Sequence, residues 1–147
     1  MRRQTRTRHL VPERQRVPRG ILDTSVVIDL DTLDVSDLPV EVAISSITLA
    51  EVAAGPHATN DPDERGRRQD RLQRVEAAFD ALPFDADTAR AYGRVFAVVM
   101  ASGQKARGRR AVDMLIAAAS LSAGIPLYTR NGDDFRALEG LIDVVVV

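Results

Sequence analysis

Polar side chains follow two short apolar segments of the chain, at the points where predicted strands end. Asp23 comes directly after "GIL", and Asn131, Asp133 and Asp134 follow "IPLYT". In a parallel α/β sheet the carboxyl ends of the strands share one edge, where functional groups gather. We therefore expect these side chains to lie close together. Two simpler roles stay open: Asp23 as the N-cap of the next helix, and Asn131 as an ordinary turn residue.

Two further carboxylates lie within apolar helical segments. Glu51 is the only charge in "ITLAEVAA", and Asp113 is the only charge in "VDMLIAAASL". Glu51 could be an exposed helical glutamate. Asp113 could be a first-turn acid, which the helix dipole stabilises by roughly 0.3–1 kcal/mol. An unpaired carboxylate in apolar surroundings is unfavourable, however, so both residues require a partner.

A divalent cation is the partner that suits these carboxylates best. The chain contains one lysine, two histidines and no cysteine, so basic partners near the acids are few. Mg²⁺ and Mn²⁺ are hard cations that prefer oxygen ligands. Held by a cluster of carboxylates, such an ion can activate water and neutralise the charge that develops on a phosphodiester. The residues thus predict metal-dependent phosphodiester hydrolysis.

Several other kinds of chemistry are excluded. Without cysteine or a well-placed histidine, a nucleophile triad is not supported, and neither a Walker A run nor a GxGxxG loop occurs. A phosphotransfer receiver domain needs a lysine at the end of a late strand, whereas Lys105 falls in a predicted loop. No apolar run approaches the ~20 residues that span a bilayer, and no secretory signal is recognisable. We expect a cytoplasmic protein without disulfides.

Short β-like segments alternate with helical segments from residue 20 onward. The predicted strands are "GILD", "VEVAIS", "LPFD", "IPLYT" and "IDVVVV", and one continuous helix is predicted over "TSVVIDLDTL". This alternation predicts an α/β domain with a mainly parallel central sheet covered by helices on both faces. A helical stripe predicts a core or dimer contact rather than a cofactor site; it consists of Tyr92, Val95, Phe96, Val99 and Met100.

Charge is distributed unevenly along the chain. Residues 1–20 carry a net charge of +6, residues 21–147 carry −7, and the total is −1. We assign residues 1–19 to a basic, solvated extension and residues 20–147 to one folded domain. A second interpretation, in which the basic extension contacts phosphates, stays open.

Four segments of this chain together resemble PIN-domain ribonucleases, specifically the VapC toxins of bacterial toxin–antitoxin pairs. They are "ILDTSVVIDL", "ISSITLAEVAAG", "AVDMLIAAASLSAGIPLYTRN" and "DDF". The resemblance runs from about residue 20 to the C-terminus in the family's order and spacing. It implies a three-layer α/β/α PIN-like domain.

The resemblance also implies which residues form the site. Asp23 corresponds to the family's first acid, Glu51 to the second and Asp113 to the third, and these three are the expected metal ligands and catalytic acids. The fourth catalytic position falls on Asn131, where many PIN domains have Asp.

The residues around the fourth position leave three alternatives open. Asn131 could supply a carbonyl oxygen, or Asp133 or Asp134 could substitute for the missing acid. Ser25 and Thr129 resemble the family's small hydroxyl residues that hydrogen-bond the acids.

The implied activity is endoribonuclease cleavage with a water activated by Mg²⁺ or Mn²⁺, leaving a 5′-phosphate. Growth inhibition is then expected unless a VapB-like antitoxin wraps the toxin and occludes its site. A homodimer, a toxin–antitoxin hetero-oligomer and operator binding only through the antitoxin are implied, with no membrane contact. A different alternative is a catalytically weak PIN domain acting mainly as a binding or regulatory subunit, which Asn131 keeps open.

Because the folded domain is acidic, contact with RNA must come from a local basic surface. The best candidate is the segment immediately before Asp113, although it could also be an ordinary solvated loop. Its basic residues are Lys105, Arg107, Arg109 and Arg110.

Overall fold

The computed structural model describes residues 18–147. Most of the predicted basic extension, residues 1–19, therefore lies outside the described residues, and its predicted state stays a prediction. Arg19 is an exception, because it is the first residue of the first strand. Its guanidinium lies 3.7 Å from the carboxylate of Glu41 on the neighbouring strand.

All five strands of residues 18–147 form one parallel sheet in the order β3-β2-β1-β4-β5. They are β1 (Arg19–Leu22), β2 (Glu41–Ser45), β3 (Ala81–Leu82), β4 (Leu127–Thr129) and β5 (Val144–Val146). In the central strand, Leu22 pairs with Ile44 on one side and with Tyr128 on the other. The predicted parallel sheet is confirmed, and all its carboxyl ends face one edge.

Five α-helices connect or follow these strands within the same residues. They are α1 (Thr24–Ile28), α2 (Ser46–Ala54), α3 (Pro62–Ala78), α4 (Ala86–Ala101) and α5 (Arg109–Ala123). Short 3₁₀ helices complete the connections; they are Leu30–Thr32, Val35–Asp37, Gly55–Ala58 and Gly132–Leu138. None of the helices in residues 18–147 is long and apolar enough to cross a membrane.

The helices cover both faces of the sheet, because successive strand residues point to opposite sides. Ile21 belongs to a buried cluster with α4 and α5, whereas the next residue, Leu22, belongs to one with α1, α2 and α3. Val95 and Ile116 are fully or almost fully buried in the first cluster, and Val26 is fully buried in the second. The predicted three-layer arrangement is therefore confirmed.

The predicted continuous helix over "TSVVIDLDTL" is wrong in one respect, since α1 ends at Ile28 and a separate 3₁₀ helix follows. Asp29 adopts φ −97° and ψ 11°, outside the α-helical range. Its carbonyl accepts hydrogen bonds from the Thr32 backbone at 2.9 Å and from the Thr32 hydroxyl at 2.8 Å. This paired acceptance stabilises a tighter turn, so the chain leaves the helix after five residues.

The third strand also differs from the prediction, which placed it at "LPFD". The strand covers only Ala81–Leu82, paired with Ile44 and Ser45 of β2. Pro83 follows immediately, and because proline has no N–H it cannot continue the ladder. Phe84 is consequently outside the sheet and partly exposed.

The predicted apolar stripe of α4 is divided between the core and the surface. Val95 and Val99 are buried, whereas Phe96 is 41% and Met100 is 46% exposed. The rings of Tyr92 and Phe96 pack at a centroid distance of 6.2 Å. Phe96 and Met100 thus form the exposed half of the stripe.

A close approach between β1 and β4 holds the centre of the sheet together. A Cβ on Gly20 would lie 2.6 Å from the ring of Tyr128, so only glycine leaves room for that ring. The Asp23 backbone N–H then donates to the Tyr128 carbonyl at 3.0 Å, one residue beyond the strand. Gly20 thereby helps to place Asp23 beside the end of β4.

Candidate active site

Asp23 lies at the carboxyl edge of the sheet, between β1 and α1. It is only 4% exposed. One carboxylate oxygen accepts the backbone N–H of Val26 at 3.3 Å, so Asp23 is the N-cap of α1. This capping bond occupies one lone pair of the carboxylate, and capping is therefore compatible with a second role.

Two hydroxyl groups hold the Asp23 carboxylate from opposite sides. Ser25 donates a hydrogen bond to Oδ1, and Thr129 donates to Oδ2 at 2.6 Å. The Ser25 oxygen accepts the N–H of Arg130 at 3.1 Å, and the Thr129 oxygen accepts the N–H of Asn131 at 3.0 Å. Because the backbone donates to each hydroxyl oxygen, each hydroxyl proton is left to the carboxylate. Asp23 is thus rigidly oriented.

Glu51 reaches the same edge from α2. The residue is exposed, but its carboxylate accepts a hydrogen bond from the Thr24 hydroxyl at 2.6 Å. The Thr24 oxygen lies 3.2 Å from the hydroxyl oxygen of Thr48, which is fully buried. Glu51 is therefore held by the residue directly after Asp23, not left free on the helix surface.

Asp113 has a different environment. Its residue is half-buried in the first turns of α5, and no residue within 18–147 donates a hydrogen bond to its carboxylate. Burial raises the pKa of Asp113, and together with the negative charges of Asp134, Asp23 and Glu51, and against the opposing charge of Arg109, it brings the pKa to about 6. Asp113 therefore lies within the electrostatic reach of three other carboxylates.

The three alternatives for the fourth position have different surroundings. Asn131 is exposed, and its backbone N–H, not its side chain, contacts Thr129. Asp133 forms an ion pair with Arg136 on the protein surface. Asp134 has the largest charge effect on Asp113 of any side chain. Proximity to the other acids therefore favours Asp134.

Whether these residues suit a divalent cation depends on their donor atoms and their charge. All four acids present carboxylate oxygens, the ligands that Mg²⁺ and Mn²⁺ prefer. Their mutual repulsion, seen in the raised pKa of Asp113, is the charge imbalance that a cation relieves. Among residues 18–147, however, no three acidic or histidine side chains already converge tightly enough to hold one ion. The donor set fits the cation, and binding it requires the carboxylates to move closer together.

The predicted basic surface lies next to Asp113. Lys105 and Arg107 are exposed in the loop before α5, Arg109 is exposed at the first position of α5, and Arg110 is half-buried. Arg109 acts electrostatically on Asp113, so this end of the basic segment reaches the acidic cluster.

Sequence reasoning missed Thr24 and Thr48. Their role depends on a contact between α1 and α2, whose partners Thr24 and Glu51 are 27 residues apart in the chain. One signal was available: Thr48 precedes Glu51 by three residues, which places both on one face of a helix.

Comparison with known proteins gives a consistent result. The sequence pattern of the PIN domain matches residues 21–141. Ribonuclease VapC5 of Mycobacterium tuberculosis is 37% identical over 131 residues, covering 87% of this chain and 93% of that protein. A VapBC-5 toxin–antitoxin crystal structure from M. tuberculosis aligns with a TM-score of 0.78 at 37% identity, covering 88% of this chain and 99% of that one. VapBC2 of Rickettsia felis, bound to a promoter DNA fragment, aligns with a TM-score of 0.69 at 23% identity, covering 86% and 96%; that likeness shows the fold.

Proposed function

The chain belongs to the PIN-domain family, and on that premise we propose that it is a VapC-type toxin that hydrolyses RNA with a divalent cation. The ribonuclease assignment agrees with the VapC ribonuclease that it resembles over most of its length. The observation that carries the proposal is the gathering of Asp23, Glu51 and Asp134 around Asp113 at one edge of the sheet.

The residues of the site have two roles: some fix the position of a carboxylate, and others contribute negative charge. Ser25 and Thr129 fix the buried carboxylate of Asp23, which serves as the immobile part of the site. Thr24 directs Glu51 toward the same edge. Asp113, with its raised pKa, contributes a carboxylate that is not compensated by hydrogen bonds. The open side of the cluster is where a phosphodiester of RNA approaches.

Asp23, Glu51, Asp113 and Asp134 are the residues that would hold Mg²⁺ or Mn²⁺. When bound, such an ion supplies an activated water and neutralises the charge that develops on the phosphodiester. Asn131 lies beside this set and is available to contact substrate through its amide. The basic residues before α5 provide the attraction for RNA phosphates that the acidic domain as a whole lacks.

The partners follow from the same assignment. The related M. tuberculosis protein is part of a VapBC toxin–antitoxin system, and we assign a VapB-like antitoxin to this chain as well. Operator DNA is then bound through the antitoxin, as part of a hetero-oligomer. We further propose a homodimer that uses the exposed half of the α4 stripe, a cytoplasmic location, and growth inhibition in the absence of antitoxin.

The proposal is tested by RNA cleavage with purified full-length protein in the presence of Mg²⁺ or Mn²⁺. Wild-type protein should cleave, and Asp23→Asn or Asp113→Asn should lower the rate by about 10²–10³-fold, a typical loss for one electrostatic group of an active site. Asp143→Asn is the matched control, because Asp143 is exposed at the opposite edge of the sheet. Equal cleavage by wild type and the two site variants would refute the proposal.

The alternative of a catalytically weak binding subunit is favoured by one observation, the amide of Asn131 at the fourth position. Asp134 weighs against it, since this acid acts most strongly on Asp113. A metal titration separates the two: a binding subunit should show no Mg²⁺ affinity that depends on Asp23 or Asp113.

A further inference from the structure

A chain of hydroxyl groups links the buried start of α2 to the carboxylate of Glu51. The Ser45 hydroxyl lies 3.4 Å from that of Thr48, Thr48 lies 3.2 Å from Thr24, and Thr24 lies 2.6 Å from Glu51. Thr48 is fully buried and Ser45 is 1% exposed, so the beginning of the chain is shielded from water. Only its last member, Glu51, is exposed.

The protons of this chain have one consistent arrangement. A threonine hydroxyl has a single proton, and the short contact with a charged acceptor is the strongest that Thr24 can make. Thr24 therefore donates to Glu51, and the 3.2 Å contact takes its proton from Thr48. Ser45 in turn donates to Thr48 and also accepts the Thr48 backbone N–H at 3.1 Å. Every hydroxyl proton is directed toward Glu51.

This arrangement joins the two carboxylates of the site at one short segment. Ser25 holds Asp23, and Thr24, its neighbour in the chain, holds Glu51. Glutamate is long and rotates freely when exposed, and apart from Thr24 no residue within 18–147 donates a hydrogen bond to the Glu51 carboxylate. The spacing between Asp23 and Glu51 consequently depends on a hydroxyl outside the set of acids.

We propose that Thr24 and Thr48 are positioning residues that act through Glu51. They orient its carboxylate toward the edge of the sheet where the divalent cation would bind, by anchoring it to the buried start of α2. This inference rests on the proposed function, because it assigns Glu51 to the cation site. It goes beyond that function by making a hydroxyl pair outside the set of carboxylates a determinant of metal affinity.

The test measures Mn²⁺ affinity of the full-length protein directly, from the free Mn²⁺ signal in electron paramagnetic resonance, without RNA. Thr24→Val keeps the shape of the side chain and removes the hydroxyl, and it should weaken Mn²⁺ binding about 10-fold, as groups that orient ligands typically do. Thr24→Ser restores the hydroxyl and should bind within about two-fold of wild type. Wild-type affinity in Thr24→Val would overturn the proposal.

Thr32→Val is the matched control for loss of a hydroxyl near α1. Thr32 donates to the Asp29 carbonyl, not to a carboxylate of the site. Its replacement should leave Mn²⁺ affinity unchanged. A loss equal to that of Thr24→Val would mean that any damage to this region weakens the site, and would overturn a specific role for Thr24.

A double-mutant cycle separates positioning from general damage. If Thr24 acts through Glu51, Thr24→Val should cost about 10-fold in wild type but less than about two-fold in the Glu51→Gln background. Thr48→Val should behave in the same way with a smaller loss, and circular dichroism should show that the variant is folded. Additive losses would overturn the proposal.

Failure of the inference can be told apart from failure of the proposed function. If Glu51→Gln binds Mn²⁺ like wild type, the hydroxyl pair has no cation ligand to position, and the inference is refuted. Cleavage by Asp23→Asn and Asp113→Asn judges the proposed function independently of that result.

Discussion

The two sides of the acidic cluster are built in opposite ways. At the β1–α1 junction, Asp23 is buried and accepts hydrogen bonds from Ser25, Thr129 and the Val26 backbone. At the start of α5, Asp113 receives no hydrogen bond from residues 18–147 and faces other negative charges, which, with burial, raise its pKa.

This difference suggests distinct roles for the two sides in the cation site that we propose. One carboxylate, that of Asp23, is held in place by hydrogen-bond donors, so its position is fixed. The other is destabilised in the ionised form by burial and repulsion, so it gains most when a positive charge arrives. The Asp23 side of the site is rigid, whereas the Asp113 side carries negative charge that no hydrogen bond from the described residues compensates. Four predictions test that division, ordered from the largest expected effect.

Removing a donor from the rigid side should have the largest effect on stability. Thr129→Val takes away the 2.6 Å hydrogen bond to Asp23 and also the acceptor of the Asn131 N–H. Because the carboxylate is buried and charged, we expect the free energy of unfolding in urea to fall by about 2–3 kcal/mol. Thr129→Ser retains the hydroxyl and should be clearly less destabilised. Equal stability of wild type and Thr129→Val would show that Asp23 does not need this donor.

Binding of Mn²⁺ should stabilise the folded protein through Asp113, whose carboxylate receives no hydrogen bond from residues 18–147. Mn²⁺ at about 100-fold above its Kd should raise the free energy of unfolding by about 2.7 kcal/mol. At the same concentration the gain should be much smaller for Asp113→Asn, because its affinity is lower. Differential scanning calorimetry with and without chelator measures both. An equal gain in the free energy of unfolding for wild type and Asp113→Asn would contradict the role assigned to Asp113.

Neutralising Asp113 without metal should stabilise the protein, although we expect the same change to lower the rate of RNA cleavage. The folded-state pKa of about 6 is above the ordinary value of 3.8, so folding is favoured when Asp113 is protonated and weakened as pH rises through about 6. Since the group is only half-buried, solvent screening reduces the effect, and we expect Asp113→Asn to gain about 1–2 kcal/mol near pH 7.5. Near about pH 4 the gain should vanish. Chelator-treated protein in urea gives the measurement, and a gain independent of pH would contradict the assigned cause.

The prediction with the smallest expected effect tests whether Asp134 or Asp133 is the fourth acid of the site. Asp134→Asn removes the strongest charge acting on Asp113 and should lower the pKa of Asp113 toward its ordinary value. Asp133→Asn is the neighbouring control; its ion pair with Arg136 lies on the surface, and the pKa of Asp113 should not move. Carbon-detected nuclear magnetic resonance of the Asp113 carboxyl reports both. A larger shift in Asp133→Asn would reverse the assignment.

Much of the fold was predictable because strand and helix boundaries are marked locally. Ser45 caps α2 and Asp61 caps α3, and serine and aspartate are among the residues that mark helix starts in a sequence. The end of α1 was not predictable, because it depends on two hydrogen bonds that Thr32 makes back to Asp29. The predicted position of β3 was wrong because Pro83 has no backbone N–H and the strand ends before it.

The position of Asp23 at the sheet edge was predictable from the sequence, but the surroundings of the candidate site residues were not. Asp23 follows a strand in the sequence, so its place at the sheet edge could be anticipated. That Thr24 holds Glu51, and that Asp134 rather than Asp133 acts on Asp113, depends on side-chain directions in three dimensions. No local pattern specifies such directions between segments distant in the chain.

The hydrogen bond between Thr129 and Asp23 joins residues 106 positions apart, so the site is completed only late in the synthesis of the chain. A chain being synthesised contains Asp23 early, but the donor that holds it is added only when most of the domain has been translated. Until β4 has left the ribosome and paired with β1, the donor to the second carboxylate oxygen is missing. The complete set of contacts that orients Asp23 therefore forms only after most of the domain has been made. Its synthesis therefore includes a built-in delay, during which an antitoxin can already be present.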